Sequence, residues 1–132
     1  MAILCDDIIT FIVASGNGVV TAADTDIFRN VLPDSPDAAV GIFEYPGVTD
    51  EHSFVGNRSI SIQIRRTSAE AARVAAWTIF DLLDVPTARE IWLTATRWTI
   101  MKARSTPAIL RTDDTGRTIY VFNVSVITSR DE

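Results

Sequence analysis

The chain contains one cysteine and one histidine among its 132 residues. A lone thiol forms no internal disulfide, and one Cys with one His cannot complete a tetrahedral Cys/His metal site. A Ser/His/Asp or Cys/His catalytic arrangement would have to use His52. That residue stands in a polar stretch, Asp50-Glu51-His52-Ser53, and the chain has no Gly-x-Ser-x-Gly elbow, so His52 reads as a solvated loop residue. Glycine is also sparse, at six residues. Gly16-Asn17-Gly18 follows a helical pattern instead of a strand, Thr21 stands where a dinucleotide fingerprint needs its third Gly, and Gly-Lys-Ser/Thr never occurs. A helix stop and turn is the better account. Long apolar runs are missing too. The densest, Ile8 to Ala14, is interrupted by Thr10 and falls well short of the ~20 residues that span a bilayer. The first residues carry Asp6 and Asp7 in place of a basic, then apolar, leader. The expectation is a soluble chain made in the cytoplasm, with Cys5 reduced and buried as a small hydrophobe on the first helix.

What is present is one globular domain over residues 1–132, with 47% apolar and 22% charged residues. The net charge of −5 argues against a nucleic-acid binder held by phosphate contacts. The charge is unevenly spread. Residues 1–57 carry nine acids against Arg29, a net of −8; residues 58–132 carry eight acids and eleven bases, a net of +3. Eleven of the twelve bases are Arg. Either the halves neutralise each other inside one fold, or each subunit has an acidic and a basic face suited to head-to-tail association. The acids offer no chemistry by spacing. Asp24-x-Asp26 and Asp34/Asp37 lack the calcium-loop pattern, and Asp34 and Asp37 flank Pro36 as turn residues do. No catalytic, cofactor-binding or metal residue is assigned, and the chain is not expected to be an enzyme.

Periodicity gives the elements. Leu4, Ile8, Phe11 and Ile12 predict a helix over 3–15 that stops at Gly16. Short strands are expected at 27–30 and 39–45, the second closed by Pro46-Gly47, with an exposed loop over 46–57. Ile60, Ile62 and Ile64 alternate with polar residues in the clearest strand, 58–66. Thr67-Ser68-Ala69-Glu70 reads as a capping box with Thr67 as cap. A helix with an apolar stripe of Ala69, Ala72, Ala76, Ile79, Phe80 and Leu83 follows, until Asp84-Val85-Pro86 ends it. Strands at 91–95 and 98–103 precede Pro107 to Leu110, the hairpin signal Asp113-Asp114-Thr115-Gly116, and a long central strand over 117–128. The order predicts an α+β fold, a largely antiparallel sheet of about five strands with two main helices on one face. Trp77 falls off the Ala stripe; either the stripe is wider than drawn or the indole meets a partner. The candidate subunit or partner interface residues are Arg29, Tyr45, His52, Phe54, Arg65, Arg73 and Trp77.

Two segments carry a family likeness. One runs from Thr25-Asp26-Ile27-Phe28-Arg29 through Leu32-Pro33-Asp34-Ser35-Pro36-Asp37 to Tyr45-Pro46-Gly47. The other is Pro107-Ala108-Ile109-Leu110, then Asp113-Asp114-Thr115-Gly116-Arg117 and Tyr120 to Val126. With the helices in this order, the chain resembles the minor capsid and tail-terminator proteins of long-tailed bacteriophages. Arg111 departs from the pattern, which has Gly after the Pro-x-x-Leu segment. The resemblance implies a structural virion protein at the head–tail junction. It implies a homo-oligomeric ring, usually a hexamer, that caps the head-proximal end of the tail tube and ends polymerisation. The partners implied are the tail tube protein and a head completion or neck protein, with DNA passing through unbound, no membrane and no cofactor. Exposed strand edges, including that of the final sheet, would join the subunits. Alternatives are a head–tail connector or neck protein and a small ligand-binding α+β domain.

Overall fold

The computed structural model describes residues 4–49, 55–84, 90–92 and 98–129. Helix α1 (Leu4–Ala14) is followed by strands β1 (Ile27–Arg29), β2 (Ala39–Thr49) and β3 (Val55–Arg66). Helix α2 (Ala69–Leu83) then leads to β4 (Glu90–Trp92), β5 (Trp98–Ala103), β6 (Ala108–Thr112) and β7 (Thr118–Ser129). The sheet order is β1-β2-β3-β7-β5-β4, with β6 also paired to β7. Among the described strands the β1–β2 pair alone is parallel. The α+β architecture is as expected, with more strands than the five anticipated.

Alternation decides which face is sealed. Val40 and Ile42, Ile60, Ile62 and Ile64, and Tyr120, Phe122, Val124 and Val126 are buried with residues of both helices in one core. The register sets Ile64 against Val40 and Tyr120, and Ile62 against Ile42 and Phe122. Leu4, Cys5, Ile8, Ile9 and Ile12 form the inward face of α1, the i, i+4, i+8 rows of one helix side. Asp6 and Asp7 stand in its first turn, where carboxylates favour the positive end of the helix dipole. Gly16, at φ +64°, leaves the helix in the left-handed region, which a residue without Cβ adopts at little cost. The Asn17 side-chain oxygen then accepts from the Val19 and Val20 amides, turning the chain toward β1. Cys5 is wholly buried. Burial, and then the neighbouring Glu44 carboxylate, push its thiol up to about 12.

Three sequence expectations change, and a fourth point, left open between two readings, is resolved. First, β2 runs on through Pro46-Gly47 to Thr49, with a register shift between Tyr45 and Val48, and β3 begins at Val55. The polar 46–57 stretch is therefore strand at both ends. A bulge accommodates the missing donor of Pro46 without ending the ladder. Second, Ser68 is the cap of α2: its hydroxyl accepts from the Ala71 amide. Glu70, instead of reaching back to Thr67, pairs with Arg73 at 2.8 Å. Third, the buried stripe of α2 contains Ala75 and omits Ala69, which is exposed. Fourth, the stripe is wider than drawn. Trp77 packs against the core, its ring meeting Phe80 edge-on at 4.9 Å, and Phe80 meets Phe122 at 5.5 Å. Small Ala side chains on the rest of the stripe let α2 lie close to the sheet.

The last three strands make one long hairpin. Register places β5 along residues 124–128 of β7 and β6 along 118–121, so the two stand end to end on the same edge. Between them, Arg104 donates to the Asn123 carbonyl, and the Ser105 hydroxyl accepts from the Asn123 amide. Asp84, the residue that ends α2, ties the helix to this arm through Lys102 and the Ala103 amide. Among the described residues no helix is long and apolar enough to cross a membrane.

Candidate functional site

The helix-free face is partly covered by the chain itself. After β1, residues 31–38 cross that face as a strap and re-enter the sheet as β2. The peptide between Ser35 and Pro36 is cis. Close approach is possible because residue 41 is Gly: a Cβ there would stand 2.8 Å from the Val31 carbonyl oxygen. Under the far end of the strap lie two arginines. The guanidinium of Arg65, 3% exposed, donates to the carbonyls of Pro36 and Asp37. That of Arg117, 7% exposed, is held from three sides: Asp113 at 2.8 Å, Asp34 at 2.9 Å and Asp37 at 3.2 Å. It also donates to the Asp34 carbonyl at 2.6 Å.

The β6–β7 turn builds the other half of this clamp. Gly116, at φ +85°, allows the tight reversal. One Asp113 oxygen accepts from the Thr115 amide and hydroxyl and from the Arg117 amide, and the other accepts from the Arg117 guanidinium. Burial works to raise the Asp113 carboxyl. The backbone and side-chain donors of Arg117 and Thr115 outweigh it and hold it at about 2. Burial also opposes the charge on Arg117, but its bonds to Asp34 and Asp113 prevail and favour the cation. A cleft of about 240 Å³ opens beside the clamp, with Leu32, Arg65, Arg111, Asp114 and Ile119 among its walls. Every buried side-chain nitrogen and oxygen among the described residues has a partner, and no group of three Cys, His, Asp or Glu there could hold a metal. This chemistry holds two distant segments in fixed relation; it places no activated nucleophile or proton-transfer pair.

The clamp joins the very segments that carry the family likeness. Asp34 and Asp37 come from the Leu-Pro-x-x-Pro-Asp stretch, and Asp113 and Arg117 from the closing hairpin. Arg111, the departure from the pattern, lies in β6 opposite Ile119, just past a register shift that leaves Leu110 as the bulged residue. The candidate interface residues are scattered. Arg29 pairs with Asp6 at 2.7 Å, Arg73 pairs with Glu70, and Arg65 is inside the clamp. Tyr45 stands on β2 opposite Ser59, and Trp77 is on the helix side of the sheet. His52 and Phe54 lie outside the described residues. Sequence reasoning missed Arg117, although an Asp-x-x-x-Arg pair across a hairpin turn was visible. Arg104 and Arg111 are exposed near the β5–β6 junction.

Among curated proteins none matches the chain. A family model described as bacteriophage tail terminator protein matches residues 13–130, a span that includes both halves of the clamp and all seven strands. The chain belongs to the bacteriophage tail terminator protein family.

Proposed function

We propose that this protein ends the phage tail tube. Six copies close into a ring on the head-proximal end of the tube, block addition of further tube subunits, and present their other surface to a head completion protein. The family match over residues 13–130 carries this reading. Physical considerations agree with it. A closed ring needs two unlike joining surfaces on each subunit. It also gains avidity, because the second and later contacts with the tube are intramolecular once the first has formed. A strap locked to the hairpin turn by ion pairs keeps the surfaces of each subunit in fixed relation, so that small errors do not accumulate around the ring. The net charge of −5 suits a lumen through which DNA slides without sticking.

The test is electron microscopy of tail tubes assembled with and without the purified protein. Blunt tubes of restricted length, each carrying a ring at one end, are expected with it. Tubes that grow equally long in its presence, with no added density at their ends, would sink the proposal.

A further inference from the structure

Strand β6 has one paired side and one open one. All five of its residues are exposed, and among the described residues no strand pairs with its outer edge. Ile109 is 58% exposed and Leu110 45% exposed. An apolar strand edge left open in this way is a template for association unless something covers it. The arm is also basic. Residues 98–112 contain Lys102, Arg104, Arg111 and no acid. Lys102 is engaged by Asp84, whereas Arg104 and Arg111 are exposed and bind no carboxylate among the described residues.

The opposite edge of the sheet has the complementary character. Residues 4–29 contain Asp6, Asp7, Asp24 and Asp26 against Arg29. Arg29 is taken by Asp6, and the Asp26 carboxylate is satisfied by the Thr21 amide and hydroxyl and the Ala22 amide. The exposed Asp24 carboxylate makes no bond among the described residues. It stands on the wall of a cleft of about 400 Å³ together with Asp6, Ile9, Thr10, Ala23 and Arg29. Just beyond β1, Val31 is 47% exposed. The outer side of β1 is bridged at Ile27 by Ala23, which shortens the edge open to a further strand and favours docking through side chains.

We infer that the open edge of β6 and the acidic α1–β1 edge are the two halves of one contact between successive copies of this chain. Ile109 and Leu110 of one copy cover the apolar rim around Val31 of the next, and Arg104 and Arg111 face Asp24 and Asp6. The two patches differ and lie at opposite edges of one sheet. The contact is therefore head-to-tail, the kind that closes into a ring when the rotation per copy permits. The inference rests on the ring proposed above and names the surfaces that make it.

Two variants of the full chain separate the possibilities. Arg104→Glu/Arg111→Glu reverses the basic edge. Asp6→Lys/Asp24→Asn removes the acidic one, with Asn chosen because Asp24 has φ +60°, which Asn tolerates. Native mass spectrometry and sedimentation should show each variant alone associating at least tenfold more weakly than the unaltered protein, while an equimolar mixture, in which the reversed β6 edge of one variant meets the reversed α1 edge of the other, regains association. As an independent measure, Val31→Cys/Leu110→Cys treated with a short bis-maleimide should give a ladder of covalent multimers, with the buried Cys5 unreactive. Rings that form as well from each charge variant alone, or that assemble without cross-linking, overturn this interface and leave the ring standing. Exhaustive dimerisation of Leu110→Cys alone overturns it in favour of two-fold pairing of β6 edges. Failure of the unaltered protein to form multimers, free or on tube ends, overturns the ring and this contact together.

Discussion

Replacing Gly41 with Ala separates two opposing effects that the structure puts at one position. Gly41 is a buried strand residue outside the left-handed backbone region, so its added methyl should by itself restrict the unfolded chain and stabilise by about 0.4–1 kcal/mol. The folded state objects. The new Cβ would stand 2.8 Å from the Val31 carbonyl oxygen and 2.8 Å from the Phe43 ring. A relaxed contact between carbon and oxygen is about 3.3–3.6 Å, so the strap must rise by roughly 0.5 Å. The ring can rotate away; the carbonyl is backbone, moored on one side by the Asn30 amide to Ile42 and on the other by the clamp. Overpacking of this kind costs about 1–3 kcal/mol, leaving a net loss of roughly 0.5–2 kcal/mol. With an unfolding entropy near 2.1 cal/mol/K per residue, a chain of this size should melt about 2–7 °C lower. Calorimetry reads the shift, and combining the change with Phe43→Leu tells which contact matters. If the strap is responsible, Phe43→Leu leaves the penalty in place. A melting temperature equal to or above that of the unaltered protein would refute a tightly seated strap.

Two further outcomes follow from local geometry. Ser68→Ala should cost about 1 kcal/mol, the usual worth of an N-cap side chain, whereas Thr67→Ala should change urea stability by only a few tenths; the reverse ranking would restore Thr67 as the cap. The second outcome concerns acid. Asp113 titrates at about 2 in the fold against an ordinary 3.8, so its contribution is complete above pH ~4 and disappears as the pH falls toward ~2. Melting curves collected across that window should slope less for Asp113→Asn than for the unaltered chain, and parallel slopes would show that the clamp carboxylate is not held down.

Periodic segments were legible because their burial follows local pattern. The alternating isoleucines of β3 and the 3.6-residue spacing of both helices required no tertiary information, and Gly116 marked its hairpin by backbone necessity. The misread boundaries have a common cause. Pro46-Gly47 looks like a stop, and only the partner strand reveals that a bulge lets the ladder continue to Thr49. Thr67 and Ser68 are chemically equivalent as caps, and the choice depends on where β3 releases the chain. The clamp was illegible because it unites residues some eighty positions apart. Asp34 and Asp37 read as turn residues, and only the register of β7 against β3 brings Arg117 and Arg65 beneath them. Edge identity was hidden for the same reason, since the split in charge between the two halves of the chain gains meaning only when the sheet order separates β1 from β6.

The single buried thiol is a clock for the detachment of helix α1. Cys5 faces inward, and with its titration near 12 only about one molecule in ten thousand would carry a thiolate at pH 8 even if reagent could reach it. Modification in the folded protein must therefore wait for the helix to leave the sheet, and its rate divided by that of the unfolded chain gives the equilibrium for that opening. Because the same helix borders the acidic cleft, the measurement reports directly whether a subunit seated in an assembly holds its first element more firmly than a free one.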